Sequence, residues 1–455
     1  MILHPVLVSP LICYLGIELS AKAGLIAGEG DVTIGRNAEP TVKFVDEYSE
    51  HYPELFTDVR SFEYFKELHI GLISDIPRKS LPAIAKVVSQ NDSQGLHHFV
   101  SEGDWQVERL REKRLAILKQ ALGGRSFVLC IDETGDKKKG ATTDYTARQY
   151  IGNLGKLENG VVSVNTYGVL DNITFPLLFR IFKPEKRLKA GDVYHSKPAL
   201  ALELIHELRQ RGFVFDLVLA DRLYGESSDF ITDLLKLDIH FVVAIRGNHA
   251  VWVPNGTRQR QTRWRPFERV FSDGTRQTRY ISEVIFGKRT LVRYFWLTDD
   301  RINLPKETTY LVMSNLPGNV RLTLGNSYGL RTWIEYGFKH IKNELGWADY
   351  RLTDYASIER WWELVFSAYL MVSLNTPVFQ TPASPLRPIN TSRVVRHRFW
   401  LSEPGWKHTL NNLRLLIQPF IALFILIPWL NLVLQPQLAL QLRQLIAYIN
   451  TTTYP

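Results

Sequence analysis

The apolar positions of this chain fall into blocks of different period. From Val42 to Leu122 the segments SFEYFKELHIGLIS, SLPAIAKVVS and VERLREKRLAILKQAL repeat apolar residues at i, i+3 and i+4. That spacing predicts amphipathic helices, with Ser and Asp at capping positions and Phe99 and Trp105 pinning a connection. Gly123 and Gly124 end the last helix, and the period changes. SFVLCID, from Ser126 to Asp132, is an unbroken apolar run of the kind a central strand covered on both faces requires. Ala147–Ile151, Val161–Leu170 and Pro176–Phe182 read as further strands, separated by Gly and Asn turns. A helix over Lys197–Arg211 follows, then the strand FDLVLAD, a helix over Ser227–Leu237 and the buried strand HFVVAIRGN. Strands followed by alternating helix and strand predict a mixed α/β sheet. Asp132 and Asp221 each close an apolar strand, at the end where open α/β sheets place ligands.

Beyond Asn248 the helical period stops, and TRYISEV, RTLVRYFWL and TTYLVMS read as strands. It returns at Tyr328–Leu345, YGLRTWIEYGFKHIKNEL, read as a helix at about 100° per residue. Tyr328, Arg331, Glu335 and Lys342 then share roughly 60° of arc. Leu330, Ile334, Phe338, Ile341 and Leu345 fill the neighbouring arc and form the stripe to be buried. Ile358–Leu374, with Trp361 and Trp362, reads as a last core helix against the sheet. Thr376–Thr391 reads as a linker. Leu413–Leu434 is long enough to span a bilayer. However, Pro419 and Pro428 are expected to break it and Arg414 lies inside it, so no membrane span is expected.

Composition changes the picture in one respect. With 45% hydrophobic and 22% charged residues the 455-residue chain is an ordinary globular one, long enough for two to four domains. Its net charge of +9 suits a polyanionic partner, nucleic acid first. Cys13 and Cys130 offer neither a disulfide framework nor a zinc spacing, which fits an intracellular setting. SAKAG loosely resembles a signal-peptidase site. No Lys or Arg precedes the apolar run before it and Glu18 interrupts that run, so residues 1–40 read as an unassigned leader.

The charge is concentrated. Residues 251–298 hold ten Lys and Arg against three acids. Trp252, Trp264 and Trp296 interleave with them, and Arg263 and Arg265 flank Trp264. A basic strand-rich segment bearing aromatics suits a nucleic-acid backbone with base stacking; a solvated β subdomain with core tryptophans has the same pattern. The face shared by Tyr328, Arg331, Glu335 and Lys342 is equally the pattern of a solvated helix with an i, i+4 ion pair. The helices of 41–123 suit either DNA-end binding or packing support.

Four ordered blocks remove the ambiguity. DETGDKKKG, ARQYIGNLGKLENG, LADRLYGESSDF and Tyr328-x2-Arg331-x3-Glu335-x6-Lys342 together resemble an insertion-sequence transposase of the DDE type. More narrowly they resemble the cut-and-paste group with a Tyr–Arg–Glu–Lys signature, the insertion-sequence-4 and insertion-sequence-701 relatives. The resemblance covers about residues 85–450. It implies an RNase H-like mixed sheet with a β-rich insertion, a helical N-terminal domain and a helical C-terminal tail. The expected divisions are a leader (1–40), a helical DNA-end-binding domain (41–123), a catalytic core in two parts (124–248 and 326–376), a basic insertion (249–325), and a linker with its tail (377–455).

The resemblance also implies two Mg²⁺ ions, with Mn²⁺ able to substitute, bridged by Asp132 and completed by Asp221 and Glu335 as catalytic ligands. Glu133 and Asp136 are then supporting or loop residues, since an adjacent side chain points to the opposite side of a strand. Arg331 and Lys342 would grip DNA phosphates, and Tyr328 would bond a phosphate near the cut. Trp264, with Arg263 and Arg265, would receive a base flipped from a hairpin intermediate, with Trp252 and Trp296 behind it. Double-stranded transposon ends and target DNA are the implied partners. A homodimer on DNA and a cytoplasmic, nucleoid-associated protein are implied with them. A non-catalytic DNA-binding descendant would have lost a carboxylate, and all three are present. A membrane-attached protein would rest on residues 413–434 alone.

Overall fold

Strand β1 (Phe127–Lys137) organises the molecule because its side chains alternate between two cores. Leu129 and Ile131 face one layer of helices and Cys130 the other, so Asp132 follows Cys130 and Glu133 follows Ile131. The computed structural model describes residues 36–453 apart from 89–91, 172, 250, 252–257, 272–274, 322, 380–396 and 404. Trp252, most of the expected leader and most of the expected linker lie outside the described residues.

The chain begins with helices α1 (Lys43–Ser49), α2 (Val59–Ile73), α3 (Leu81–Val87), α4 (Gln94–Ser101) and α5 (Val107–Leu122). Phe99 and Trp105 stack with ring centroids 5.3 Å apart, and the indole N–H donates to the Phe99 carbonyl, pinning α4 to α5 as expected. Strands β2 (Ala147–Ile151), β3 (Lys156–Leu170) and β4 (Ile173–Ile181) follow β1. Next come α6 (Lys197–Gln210), β5 (Phe215–Ala220), the short α7 (Arg222–Gly225), α8 (Ser228–Lys236) and β6 (His240–Ile245). β1 pairs antiparallel with β3 and parallel with β5, and β5 pairs parallel with β6.

The basic segment is strand-rich, with β7 (Gln259–Gln261), β8 (Arg265–Val270), β9 (Arg276–Phe286), β10 (Arg293–Thr298) and β11 (Tyr310–Ser314). It does not fold as a separate sheet. β11 pairs antiparallel with β6, so the insertion extends the central sheet to eleven strands. The edge of β6 is thereby covered rather than exposed.

Four boundaries differ from expectation. β1 continues five residues past Asp132, because β3 goes on pairing with it to Lys137 after β5 has ended. Asp132 therefore lies in mid-strand rather than at a strand end, and Asp136 is a strand residue rather than a loop residue. The stretch 328–345 is two helices, α9 (Leu324–Gly329) and α10 (Thr332–Asn343), joined through tight i→i+3 bonds at Tyr328–Ile334. The expected linker opens with the short helix α12 (Thr376–Phe379). Finally, Pro419 and Pro428 do not break α13 (Trp406–Leu432). Each lacks one amide donor; around Pro419 the buried Leu413, Leu416, Ile417, Phe420 and Leu423 anchor the helix, whereas the turn around Pro428 is mostly exposed.

α13 is long and apolar enough to cross a membrane by length and composition. Its first half is a core element. Buried Arg414 donates to the Ile73 and Ser74 carbonyls and pairs with Glu344 at 3.0 Å. α14 (Pro436–Thr453) packs back along it.

Helix α11 (Tyr355–Leu374) joins the layers, with Asp354 capping Ser357 N and sixteen of its residues buried. Trp362 stacks on Trp347 at 4.2 Å and meets Phe179 of β4 edge-on at 5.8 Å. Its Glu363 is fully buried between Arg111 and Arg114 of α5. The helices of 41–123 thus share one core with the C-terminal tail.

Candidate active site

The two aspartates meet where parallel pairing stops. Ile131 and Ala220 are the last paired residues of β1 and β5, so Asp132 and Asp221 come next on neighbouring strands, about 5 Å apart in the backbone. Asp221 leaves the sheet there and caps α7, its Oδ1 accepting Leu223 N at 2.8 Å. α10 crosses the same edge on the Cys130 face. Gly337 allows this approach, since a Cβ there would lie 2.7 Å from the Tyr167 ring of β3. Ile334, Ile341 and Leu345 are fully buried as the helical stripe requires, and Leu330 is partly buried.

One guanidinium holds the cluster together. Arg331 donates through Nη1 to Asp132 Oδ2 at 2.8 Å and through Nη2 to Glu335 Oε1 at 2.9 Å. The two accepting oxygens therefore lie within about 8 Å of each other, on one face of the sheet. Among the described residues, no three His, Cys, Asp or Glu side chains already converge to hold a metal ion. A guanidinium stands between the carboxylates instead.

The surroundings are strongly polarised. Burial pushes the Asp132 carboxyl up to about 7; Arg331 opposes this and the neighbouring Asp221 charge adds to it. Tyr328 is nearly buried, its ring 6.0 Å from that of Tyr310, and burial raises its phenol to about 12. Lys342 also turns inward, donating to the Gly135 carbonyl of β1 at 2.7 Å. Burial lowers its ammonium to about 8, with Asp136 opposing. Arg331 and Lys342 thus both engage β1 in this structure.

On the opposite face, Glu133 pairs with Lys197 of α6 at 2.9 Å, as alternation along the strand predicts. Asp136 pairs with Lys138. Arg263, Trp264 and Arg265 lie at the start of β8, away from the carboxylates. Arg265 is in register with Ile281, Leu297 and Tyr310, three strand spacings or about 15 Å along the sheet from the ring that touches Tyr328. Arg263 and Arg265 are exposed and Trp264 half-buried, whereas Trp296 lies beside Gly247.

Sequence reasoning missed one residue that shapes the site. Arg269 is buried and donates to the Asn326 and Gly329 carbonyls at 3.2 and 2.9 Å, closing the C-terminus of α9 directly before Arg331. A Cβ on Gly329 would collide with that guanidinium. Its signal, one of nine arginines in a basic segment, does not separate it from its neighbours.

Two aspartates on adjoining strands, a glutamate from a crossing helix and a basic segment thus share one sheet. Residues 54–281 match the family model described as "DDE superfamily endonuclease". The chain is also 55% identical over 325 residues to the "Probable transposase for insertion sequence element IS701" of Microchaete diplosiphon, covering 71% of this chain and 86% of that protein. It belongs to the insertion-sequence transposases of the DDE endonuclease superfamily.

Proposed function

We propose that the chain cuts and joins the ends of its insertion sequence, with Asp132, Asp221 and Glu335 as the ligands of two Mg²⁺ ions. The observation that carries this reading is the convergence of Asp132 and Glu335 on one cation, Arg331, beside Asp221 on the adjoining strand. The donor set fits: all three are carboxylates, the hard oxygen ligands that Mg²⁺ takes, and Mn²⁺ accepts the same set. The bridging guanidinium marks a place where positive charge is stabilised. When bound, such a metal pair supplies an activated water and stabilises the attacking and leaving oxygens of an in-line displacement. The order β4–β3–β1–β5–β6, antiparallel then parallel, supports an RNase H-like core.

The remaining residues serve DNA. Arg331 and Lys342 take phosphates of the bound end, Arg331 as a fork and Lys342 as a point charge, with Tyr328 beside them. The Arg263–Trp264–Arg265 row extends this path along the sheet. There Trp264 offers a stacking surface for a base turned out of a hairpin intermediate. The helices of 41–123 belong to end recognition, 124–248 with 326–376 to catalysis, and 249–325 to the DNA path. The active form on DNA is a homodimer, acting in the cytoplasm at the nucleoid.

The reading is tested by incubating the purified chain with duplex bearing its own element's ends. Mg²⁺ should produce strand cleavage at the element boundary that EDTA abolishes; cleavage unaffected by EDTA would refute the metal assignment. Lys342→Ala and Arg265→Ala should each lower the salt slope of log K for end binding by about 1, one counterion per lost phosphate contact. An unchanged slope would place that side chain against protein alone.

A further inference from the structure

In this structure Arg331 competes with a metal ion for the two carboxylates. A divalent ion needs the Asp132 and Glu335 oxygens at about 2.1 Å, yet the Arg331 nitrogens sit 2.8 and 2.9 Å from those same oxygens. We propose that Arg331 is a positioning residue that occupies the carboxylate cluster in the DNA-free protein and gives it up to metal only when a DNA phosphate takes its guanidinium. The proposal rests on the assignment of Asp132 and Glu335 as metal ligands.

Three features support an exchange rather than a permanent ion pair. Arg331 stands between α9 and α10 and caps neither helix with its side chain, so a change of its rotamer costs no capping bond. The bond to Glu335 is at the surface, with that side chain 47% exposed, whereas Asp132 is 14% exposed. One half of the fork therefore opens readily to solvent and the other is held. Displaced by a dication, the guanidinium needs another anion, because leaving it unpaired beside metal is costly. A phosphate matches its fork in shape and charge. DNA and metal then favour each other, and linkage makes the effect reciprocal. Free protein would carry an inactive cluster, and cutting would be confined to chains already seated on DNA.

The test is Mn²⁺ uptake by the full chain, read from the EPR signal of free ion, with and without end duplex. Wild type should bind Mn²⁺ about tenfold more tightly, or better, in the presence of DNA. Without DNA, Arg331→Ala and Arg331→Lys should both bind Mn²⁺ more tightly than wild type, the lysine keeping the charge but not the fork. A second measurement needs no Arg331→Ala protein. In EDTA, Asp132→Asn and Glu335→Gln should tighten end binding, and adding Arg331→Lys should remove the gain. Equal Mn²⁺ affinity in wild type and both Arg331 variants, still dependent on Asp132, overturns the exchange and leaves the metal ligands standing. Tight binding by Arg331→Ala with Arg331→Lys matching wild type reduces the effect to net charge and also overturns it. Mn²⁺ uptake indifferent to Asp132→Asn and Glu335→Gln refutes the metal ligands themselves, and the exchange with them.

Discussion

Asp132→Ala, Asp221→Ala and Glu335→Ala should each reduce strand cleavage to background while the protein still shifts end duplex in a gel. On the proposed assignment the expected loss exceeds the 10–100-fold typical of residues that merely support a metal's ligands, because each variant would remove a ligand outright. Binding survives for a separate reason: affinity for DNA comes mainly from Lys and Arg contacts to phosphate, and none of these three side chains supplies one. For Asp132→Ala and Glu335→Ala, binding in EDTA should even improve, since Arg331 loses one of its two carboxylate partners. The folds of Glu335→Ala and Asp221→Ala should hold as well. Glu335 is exposed on one side, and Asp221 contributes one capping bond to a four-residue helix, worth about 1 kcal/mol. A binding loss as large as the activity loss would mean that the carboxylates build the surface rather than perform chemistry on it.

Glu363→Ala should destabilise the protein by about 3–5 kcal/mol, the range for breaking a buried ion pair by removing one partner. Glu363 is fully buried on α11 and meets both Arg111 and Arg114 of α5. Without it Arg111 keeps Glu359, but Arg114, itself fully buried, keeps the Pro176 and Leu177 carbonyls of β4 and the Phe366 ring, with no carboxylate. A guanidinium with two neutral acceptors and no counter-charge has no route to water. Denaturant unfolding of Glu363→Ala against wild type measures the loss. Replacing Arg111, Arg114 and Glu363 together by apolar residues should recover most of it, since the three-way swap leaves no orphaned charge. A loss below about 1 kcal/mol for Glu363→Ala alone would show that the arginines are hydrated in solution.

The period of apolar residues located nearly every strand and helix of the central sheet to within a few residues, because that signal is local. It failed where a partner strand extended an element. Nothing in FVLCIDETGDK says that β3 continues to pair after β5 stops, so Asp132 was expected at a strand end and lies in mid-strand. It missed the break in the signature stretch, which is two helices rather than one, although Tyr328 and Arg331 still neighbour each other. The tight turn at Leu330–Arg331 buries Tyr328 against Tyr310, and the buried Arg269 beneath Gly329 closes the helix that precedes it. Pro419 was expected to break a helix that core contacts hold together there.

By itself the sequence determined the identities and order of the acids and bases, the strands that carry the two aspartates, and the basic insertion. These are written in residue type and in spacing over a few residues. Tertiary structure alone decided which charges pair. Arg331 and Asp132 are separated by 199 residues, and Lys342 and Gly135 by 207. Their partners were set by register between strands and by the crossing of α10, which are long-range quantities that no local period contains. The resemblance implies DNA phosphates for both cations; in the DNA-free chain both engage β1. The physical reason is desolvation. Once packing buries carboxylates and carbonyls at the sheet edge, the nearest cations are drawn in to satisfy them.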